Sequence, residues 1–116
     1  MNLGYYGEKL AVDYLKSQGY KILEQNFKAR YAEIDIIAKD KDVLVFVEVK
    51  TRFSEKYGVP EESITPWKLR TLKKAAQFYK LLHPELPEAL RIDVVAIELN
   101  PDRSVKRLNL IQNATQ

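Results

Sequence analysis

Two apolar segments joined by a short polar turn constrain the fold of this chain most strongly. They form the stretch EIDIIAKDKDVLVFVEVKTR, in which Val, Ile, Leu and Phe predominate. Runs rich in β-branched residues on either side of KDKD predict strands over 33–38 and 43–50, paired as a hairpin. Asp35, Glu48 and Lys50 nevertheless lie inside these runs. Charged residues rarely occupy apolar strands unless they are paired or bind something.

The rest of the pattern predicts an α/β domain. Apolar spacing indicates a helix over 4–18 that ends at Gly19, and a second helix that starts at Pro66 with Thr65 as its N-cap. The predicted buried stripe of the second helix is Leu72, Ala75, Ala76, Tyr79 and Leu82. Further strands are expected over 20–28, 90–99 and 104–111. The order α-β-β-β-α-β-β implies a mixed sheet, in which a three-stranded meander is followed by a crossover helix.

Length and composition exclude several classes of protein. The 116 residues predict a single domain over 1–116 with a frayed tail at 112–116. The chain has no cysteine, which excludes disulfides, thiolate zinc sites and cysteine nucleophiles. No signal peptide is apparent, and no apolar stretch approaches the roughly 18 residues of a membrane span. We therefore expect a cytoplasmic protein without a membrane partner.

The hairpin register decides whether the charged residues can share a site. We expect Ala38 to pair with Val43, on either side of KDKD. Asp35 and Glu48 are then diagonal neighbours on one face, with Cβ atoms about 7 Å apart, and Lys50 follows on that face. Two carboxylates at this separation can hold one divalent cation, and oxygen ligands favour Mg²⁺, with Mn²⁺ as a substitute. Carboxylates on opposite faces would exclude the metal site.

The ordinary explanation of an E-x-K pattern in a strand is a surface salt bridge. Asp35 on the neighbouring strand favours a metal site instead. Glu33 is the weakest candidate, because a residue so near the strand start is explained by solvation alone.

Basic residues suggest a second kind of site. The net charge is +3, and five cations fall in the second predicted helix: Lys68, Arg70, Lys73, Lys74 and Lys80. Such clusters attract phosphate backbones, although a solvated helix face explains this cluster equally simply. The candidates for phosphate contacts are Arg52, Lys68, Arg70 and Lys73.

The order of these motifs resembles the PD-(D/E)XK nuclease superfamily. The closer resemblance is to the YraN family of small bacterial predicted endonucleases, which is distantly similar to archaeal Holliday junction resolvases. It covers nearly the whole chain, through YGEKLAVDYL, GYKILEQNFKARYAEIDIIA, LVFVEVKTR and RIDVVAI. Ala32 replaces the usual Gly before E-I-D, and Ile92 stands where Phe is frequent. Neither departure removes a ligand.

The resemblance implies a restriction-endonuclease-like fold and a Mg²⁺-dependent endonuclease. Asp35 and Glu48 would ligate the metal with the backbone carbonyl of Val49, while Lys50 would position or activate the attacking water. Glu8 would assist, although an acid stabilised by the dipole of the first helix is an equal explanation. Lys68 matches a position that can face the site in related nucleases, whereas its place among many lysines favours a solvated side chain.

The resemblance also implies partners. The substrate would be DNA, branched DNA by analogy, and no nucleotide cofactor is implied. A homodimer is also possible as the active form, because a small domain with one site needs a second copy to cut two strands symmetrically. The alternatives are a non-catalytic nucleic-acid-binding module and a subunit of a DNA-processing or cell-division assembly. The retained charges in the strands argue against a site that has simply lost its chemistry.

Overall fold

A five-stranded mixed sheet with one helix on each face forms the framework of the molecule. The computed structural model describes residues 2–30, 32–54 and 58–115. The elements are α1 (Leu3–Ser17), β1 (Lys21–Lys28), β2 (Glu33–Asp40), β3 (Val43–Phe53), a short 3₁₀ helix (Pro60–Ser63), α2 (Pro66–Leu82), β4 (Leu90–Leu99) and β5 (Val105–Ile111). The strand order is β1-β2-β3-β4-β5, with β3 and β4 parallel and the other pairs antiparallel. The predicted α/β class and element order are confirmed.

Local sequence signals fix both helices. α1 ends before Gly19, whose φ of 92° lies in the left-handed region that glycine adopts without strain. α2 begins at Pro66, and Thr65 Oγ1 accepts a hydrogen bond from the Lys68 N–H at 3.1 Å. The predicted cap and stop are therefore both present. No helix in the described ranges is long and apolar enough to cross a membrane.

The two helices bury opposite faces of the sheet. On one face α1 packs on β-strand residues through Ala11, Val12 and Leu15, and on the other α2 packs through Leu72, Ala75, Ala76 and Tyr79. β3 serves both cores, because Val45 and Val47 face α1 while Phe46 faces α2. The prediction that Leu82 is buried is wrong: its side chain is 53% exposed at the last residue of α2, beyond the turn that contacts the sheet.

The hairpin register differs from the prediction. Asp40 pairs with Val43 and Ala38 pairs with Val45, so the turn consists of two residues rather than four. Two-residue turns are the commonest hairpin connections, and here Lys41 adopts a φ of 55° in the turn. The pairing is shifted by two residues, which is an even number. Side chains within the paired segments, residues 36–40 and 43–47, therefore keep the faces that were predicted for them.

Residues 112–114, within the segment predicted as a frayed tail, make hydrogen bonds to the rest of the domain. The Asn113 N–H donates to Asp93 Oδ1 at 3.0 Å, and the Ala114 N–H donates to the Ile92 carbonyl at 2.7 Å. Gln112 Nε2 donates to the Tyr20 hydroxyl at 2.9 Å. The buried carboxylate of Asp93 needs donors, and the residues after β5 supply one.

Candidate active site

The ladder between β2 and β3 ends where Asp35 and Glu48 face one another. Its last pair is Ile36 with Val47, and Asp35 and Glu48 are the next residues along the two strands. They are thus directly opposite, not diagonal, and their carboxyl groups lie within hydrogen-bonding reach. The Val49 N–H donates to Asp35 Oδ2 at 2.8 Å. The carboxylate of Asp35 therefore acts as an acceptor for the backbone where the strands separate.

The same separation interrupts the alternation of β2. Strict alternation predicts that Ile34 and Ile37 face opposite sides of the sheet. Both instead belong to the core beneath α2. The break falls around Asp35, where β2 has left the ladder with β3.

Burial dominates the electrostatics of the acidic pair, and at Glu48 the charge of Asp35 adds to its effect. Glu48 is only 3% exposed, and burial together with the charge of Asp35 raises its pKa to about 7. Burial also raises the pKa of Asp35, while the hydrogen bond from the Val49 N–H opposes the shift. Removal from water therefore disfavours the charged forms of both carboxyl groups, and a bound cation would favour them.

A cavity of about 380 Å³ opens over this pair. Its lining comprises Leu3, Gly4, Glu8, Glu33, Asp35, Glu48, Val49, Lys50, Thr51, Arg52 and Lys68. The structure thus brings together most of the residues that the sequence singled out, from α1, β2, β3 and α2. Arg70 and Lys73 are exceptions, because they line a separate groove beside Ala114 and Thr115.

Lys68 reaches the acidic pair from the first turn of α2. Its Nζ lies 3.4 Å from Glu48 Oε2, and its side chain is 32% exposed. The simple expectation of a solvated lysine is therefore wrong, and the placement agrees with the one implied by the resemblance. Lys50 follows Glu48 by two residues on β3, and its charge, like that of Lys68, opposes the rise in the Glu48 pKa.

α1 comes close to the cavity because residue 7 is glycine. A Cβ at Gly7 would overlap Oγ1 of Thr51 on β3, so any larger residue would push the helix away. The next residue, Glu8, lines the cavity, and both burial and the charge of Asp35 raise its pKa. Sequence reasoning did not single out Gly7, although a glycine inside a helical pattern is a recognised sign of close packing.

Asn26 is a second residue that sequence reasoning missed. It lies in β1 with a left-handed φ of 56°. With the amide nitrogen facing the acceptors, it donates to Glu8 Oε1 at 2.9 Å and to Glu33 Oε1 at 3.1 Å. Glu33, expected to be merely solvated, is exposed yet held at the rim of the cavity by this bond.

The donor set decides which metal could bind. Within residues 2–30, 32–54 and 58–115, no three His, Cys, Asp or Glu side chains converge closely enough to enclose a metal ion. Mg²⁺ needs only one or two protein carboxylates and keeps waters in its other positions. The Asp35–Glu48 pair fits that requirement.

Comparison with known proteins places the chain in a family. The sequence model described as Uncharacterised protein family UPF0102 matches residues 7–97. A UPF0102 protein of Syntrophomonas wolfei is 47% identical over 112 residues, covering 97% of this chain and 96% of the relative. The chain belongs to the UPF0102 family. This is the YraN group that the motifs resemble, so the predicted family is confirmed.

Other UPF0102 members are similarly close over their full lengths. A protein of Clostridium botulinum strain Hall is 48% identical over 118 aligned positions, covering 99% of this chain and 94% of the relative. One from Caldicellulosiruptor saccharolyticus is 46% identical over 112 residues, covering 97% and 95%. The UPF0102 match spans Glu8, Asp35, Glu48, Lys50 and Lys68. Because the relatives' names state no activity, the case for a particular chemistry rests on the cavity.

Proposed function

We propose that this UPF0102 protein is a metal-dependent endonuclease that hydrolyses phosphodiester bonds in DNA. The proposal is carried by one observation: the buried carboxylate of Glu48 and the half-buried carboxylate of Asp35 face each other in an open cavity that is also lined by two lysines. The Lys68 ammonium lies 3.4 Å from Glu48, yet burial and the charge of Asp35 still raise the pKa of Glu48 to about 7.

Each residue has a role that its position supports. Asp35 and Glu48 hold Mg²⁺ or Mn²⁺, and the Val49 carbonyl is the proposed third protein ligand. A bound divalent ion supplies a Lewis acid that polarises the phosphate and stabilises negative charge in the transition state. Lys50 orients the attacking water, and the ammonium of Lys68, which lies 3.4 Å from Glu48 Oε2 in the same cavity, contacts a phosphate oxygen.

The reaction is an in-line hydrolysis. The water oxygen bonds to phosphorus and releases one proton to solvent, the bond from phosphorus to the 3′-oxygen breaks, and that oxygen takes up a proton from solvent. The products are a 5′-phosphate and a 3′-hydroxyl. Glu8 assists at the rim of the cavity by adding negative charge near the metal-binding pair.

The positions of the cationic residues suggest how a DNA strand would lie across the protein. Arg52 and Lys68 line the cavity and would hold the phosphate that is cleaved. Arg70 and Lys73 lie on the exposed side of α2 and would contact phosphates farther along the same DNA. A branched substrate follows from the resemblance alone, and cutting it on two strands would require a homodimer. The cytoplasm is the proposed compartment.

A cleavage assay with matched variants tests the proposal. Linear, single-stranded, nicked and four-way DNA, with RNA counterparts, are incubated with Mg²⁺ or Mn²⁺. Asp35→Asn keeps an acceptor for the Val49 N–H but removes the charge, and Lys50→Ala removes the ammonium. The controls are Asp42→Asn and Lys16→Ala, which make the same charge changes at exposed positions outside the cavity.

We expect cleavage by the wild type and both controls, and a loss of at least about 100-fold in both site variants. Equal activity in all five proteins would trace the cleavage to a contaminant and overturn the assignment. Metal-independent DNA binding without cleavage on any substrate would favour the non-catalytic binding module. If neither binding nor cleavage occurs, the assembly-subunit alternative is favoured.

A further inference from the structure

The backbone of Asn26 is unusual for a residue within a strand. Its φ of 56° is left-handed, whereas extended strand residues have negative φ. The neighbours keep the ladder, since Gln25 pairs with Ile36 and Phe27 pairs with Ile34. Asn26 therefore lies across from Asp35, on the side of β2 away from Glu48. The irregular residue of β1 coincides with the place where β2 and β3 separate.

The side chain explains why this position is asparagine. An amide nitrogen carries two protons, and both find a carboxylate here: Glu8 Oε1 at 2.9 Å and Glu33 Oε1 at 3.1 Å. Asparagine is also among the few residues that tolerate a left-handed backbone. Glycine would supply the backbone but no donor, aspartate would supply no donor and add a charge, and glutamine would supply the donor on a less tolerant backbone. Asparagine alone among these meets both requirements.

The hydrogen bonds from the Asn26 amide counteract the repulsion among the neighbouring carboxylates. Glu8, Glu33 and Asp35 are all acidic, and the charges of Asp35 and Glu33 both disfavour the ionised form of Glu8. A carboxylate on an α1 side chain would turn toward solvent under that repulsion if nothing held it. The amide of Asn26 supplies a donor between Glu8 and Glu33, and it lies on the side of β2 where Glu8 approaches.

We propose that Asn26 is a positioning residue, whose amide holds the Glu8 carboxylate beside Asp35 and so completes the anionic wall of the cation site. The inference rests on the proposed metal-dependent function. It adds that Glu8, the third acidic residue of the cation site, contributes to that site only when the backbone of β1 is left-handed at Asn26. Sequence motifs confined to α1, β2 and β3 would not include this residue.

The test is a double-mutant cycle read by Mn²⁺ affinity in calorimetry. Asn26→Gly keeps the backbone conformation and removes the amide, and Glu8→Ala removes the partner. The matched control is Asn113→Gly, because Asn113 is also left-handed, with a φ of 56°, but lies at the end of the chain away from the cavity. We expect each site variant to weaken Mn²⁺ binding about 10-fold, and the double variant to be no weaker than either.

The outcomes separate this inference from the proposed function. The role of Asn26 would be overturned if the two losses of Mn²⁺ affinity multiplied in the double variant. It would also be overturned if Asn26→Gly bound Mn²⁺ as tightly as Asn113→Gly. Both outcomes would leave the metal site intact. A wild type that binds no Mn²⁺ would overturn both.

A second measurement requires neither metal nor an Asn26 variant. In a metal-free nitrogen–proton NMR spectrum, the side-chain amide resonances of Asn26 should shift in Glu8→Ala and in Glu33→Ala. They should not shift in Glu85→Ala, whose carboxylate follows α2 and lies outside the cavity lining. Unchanged Asn26 resonances in Glu8→Ala would show that the bond is absent in solution and would overturn the proposal, even if Asn26→Gly fails to fold.

Discussion

Two buried carboxylates on neighbouring strands, Asp93 of β4 and Glu48 of β3, differ in what faces them. Asp93 is fully buried and accepts hydrogen bonds from Arg91 Nε at 2.8 Å and from the Tyr20 hydroxyl at 2.8 Å. Glu48 is nearly as buried, but besides the ammonium of Lys68 at 3.4 Å and the charge of Lys50 it faces the carboxyl group of Asp35. The charge of Asp93 is compensated by the guanidinium of Arg91, whereas the charge of Glu48 is disfavoured by the nearby carboxylate of Asp35.

The difference shows that burial alone does not identify a functional carboxylate. A buried acid that faces a guanidinium has its interactions satisfied within the fold. A buried acid beside a charged carboxylate has a raised pKa, as Glu48 has beside Asp35, and this arrangement persists in a folded protein only where another contribution stabilises it. A cation bound between Asp35 and Glu48 would make that contribution. The predictions below test the contrast, beginning with the largest effect.

Replacing Asp93 should be the most damaging single change to stability. Asp93→Ala leaves the guanidinium of Arg91 and the Tyr20 hydroxyl without their buried acceptor. We expect a loss of about 3 kcal/mol in the free energy of unfolding, measured by urea denaturation. Asp13→Ala, at an exposed position of α1, serves as the control. A loss below about 1 kcal/mol would remove the contrast between the two carboxylates.

Divalent cations should stabilise only a protein that keeps the acidic pair. At a Mn²⁺ concentration 100-fold above the dissociation constant, the free energy of unfolding of the wild type should rise by about 2.7 kcal/mol. Asp35→Asn and Glu48→Gln should show little of this gain, and Asp13→Asn should show all of it. Urea denaturation with and without Mn²⁺ measures the effect. An equal gain in Asp35→Asn would place the bound ion elsewhere.

The stability of the metal-free protein should fall as the pH rises. Because the pKa of Glu48 is raised to about 7 in the fold, its protonated form favours the folded state. That contribution is fully present below the ordinary pKa of 4.5 and is lost as the pH passes through about 7. Between about pH 5 and about pH 8 the wild type should lose about 2 kcal/mol more than Glu48→Gln. Denaturation in EDTA at both values provides the measurement, and parallel pH profiles would contradict the prediction.

The smallest effect is expected where a paired carboxylate lies near the surface. Glu61 accepts hydrogen bonds from Arg107 Nη1 at 2.6 Å and Nη2 at 2.8 Å, and this pairing lowers its pKa to about 2. The contribution is present above the ordinary pKa of 4.5 and is lost as the pH falls toward about 2. Because solvent screens the pair, Glu61→Gln should cost about 1 kcal/mol or less near neutral pH. High salt should reduce that cost, and a salt-independent cost above about 2 kcal/mol would contradict this explanation.

Much of the site followed from residue periodicity. Asp35 and Glu48 were placed on one face because side chains alternate, and that result survived a register error of two residues. The register itself depended on turn length, and KDKD permits either a four-residue or a two-residue turn. Lys68 carried a usable signal, because it lies four residues before Leu72, on the helical stripe that α2 buries. Lys73 and Lys74 lie off that stripe and are exposed.

Other parts of the site had no signal in the local pattern. The left-handed backbone of Asn26 lies within a segment that looks like an ordinary strand, and its two acceptors come from α1 and β2. Such a contact depends on the tertiary arrangement of three elements. The hydrogen bond from the Asn113 N–H to Asp93 had no local signal for the same reason, because it forms only when β4 and the residues after β5 come together.

The bond between Asp35 Oδ2 and the Val49 N–H has a consequence for how members of this family diverge. A copy of the gene that lost its reaction would still be selected for an acceptor at this position, because the backbone of β3 depends on it. The acid would therefore outlast the activity, and finding it in a homologue would not show that the homologue is an active enzyme. Lys50 has no hydrogen bond of this kind among those found in the described residues. Loss of Lys50 in a homologue would therefore be the earlier sign that the activity has been lost.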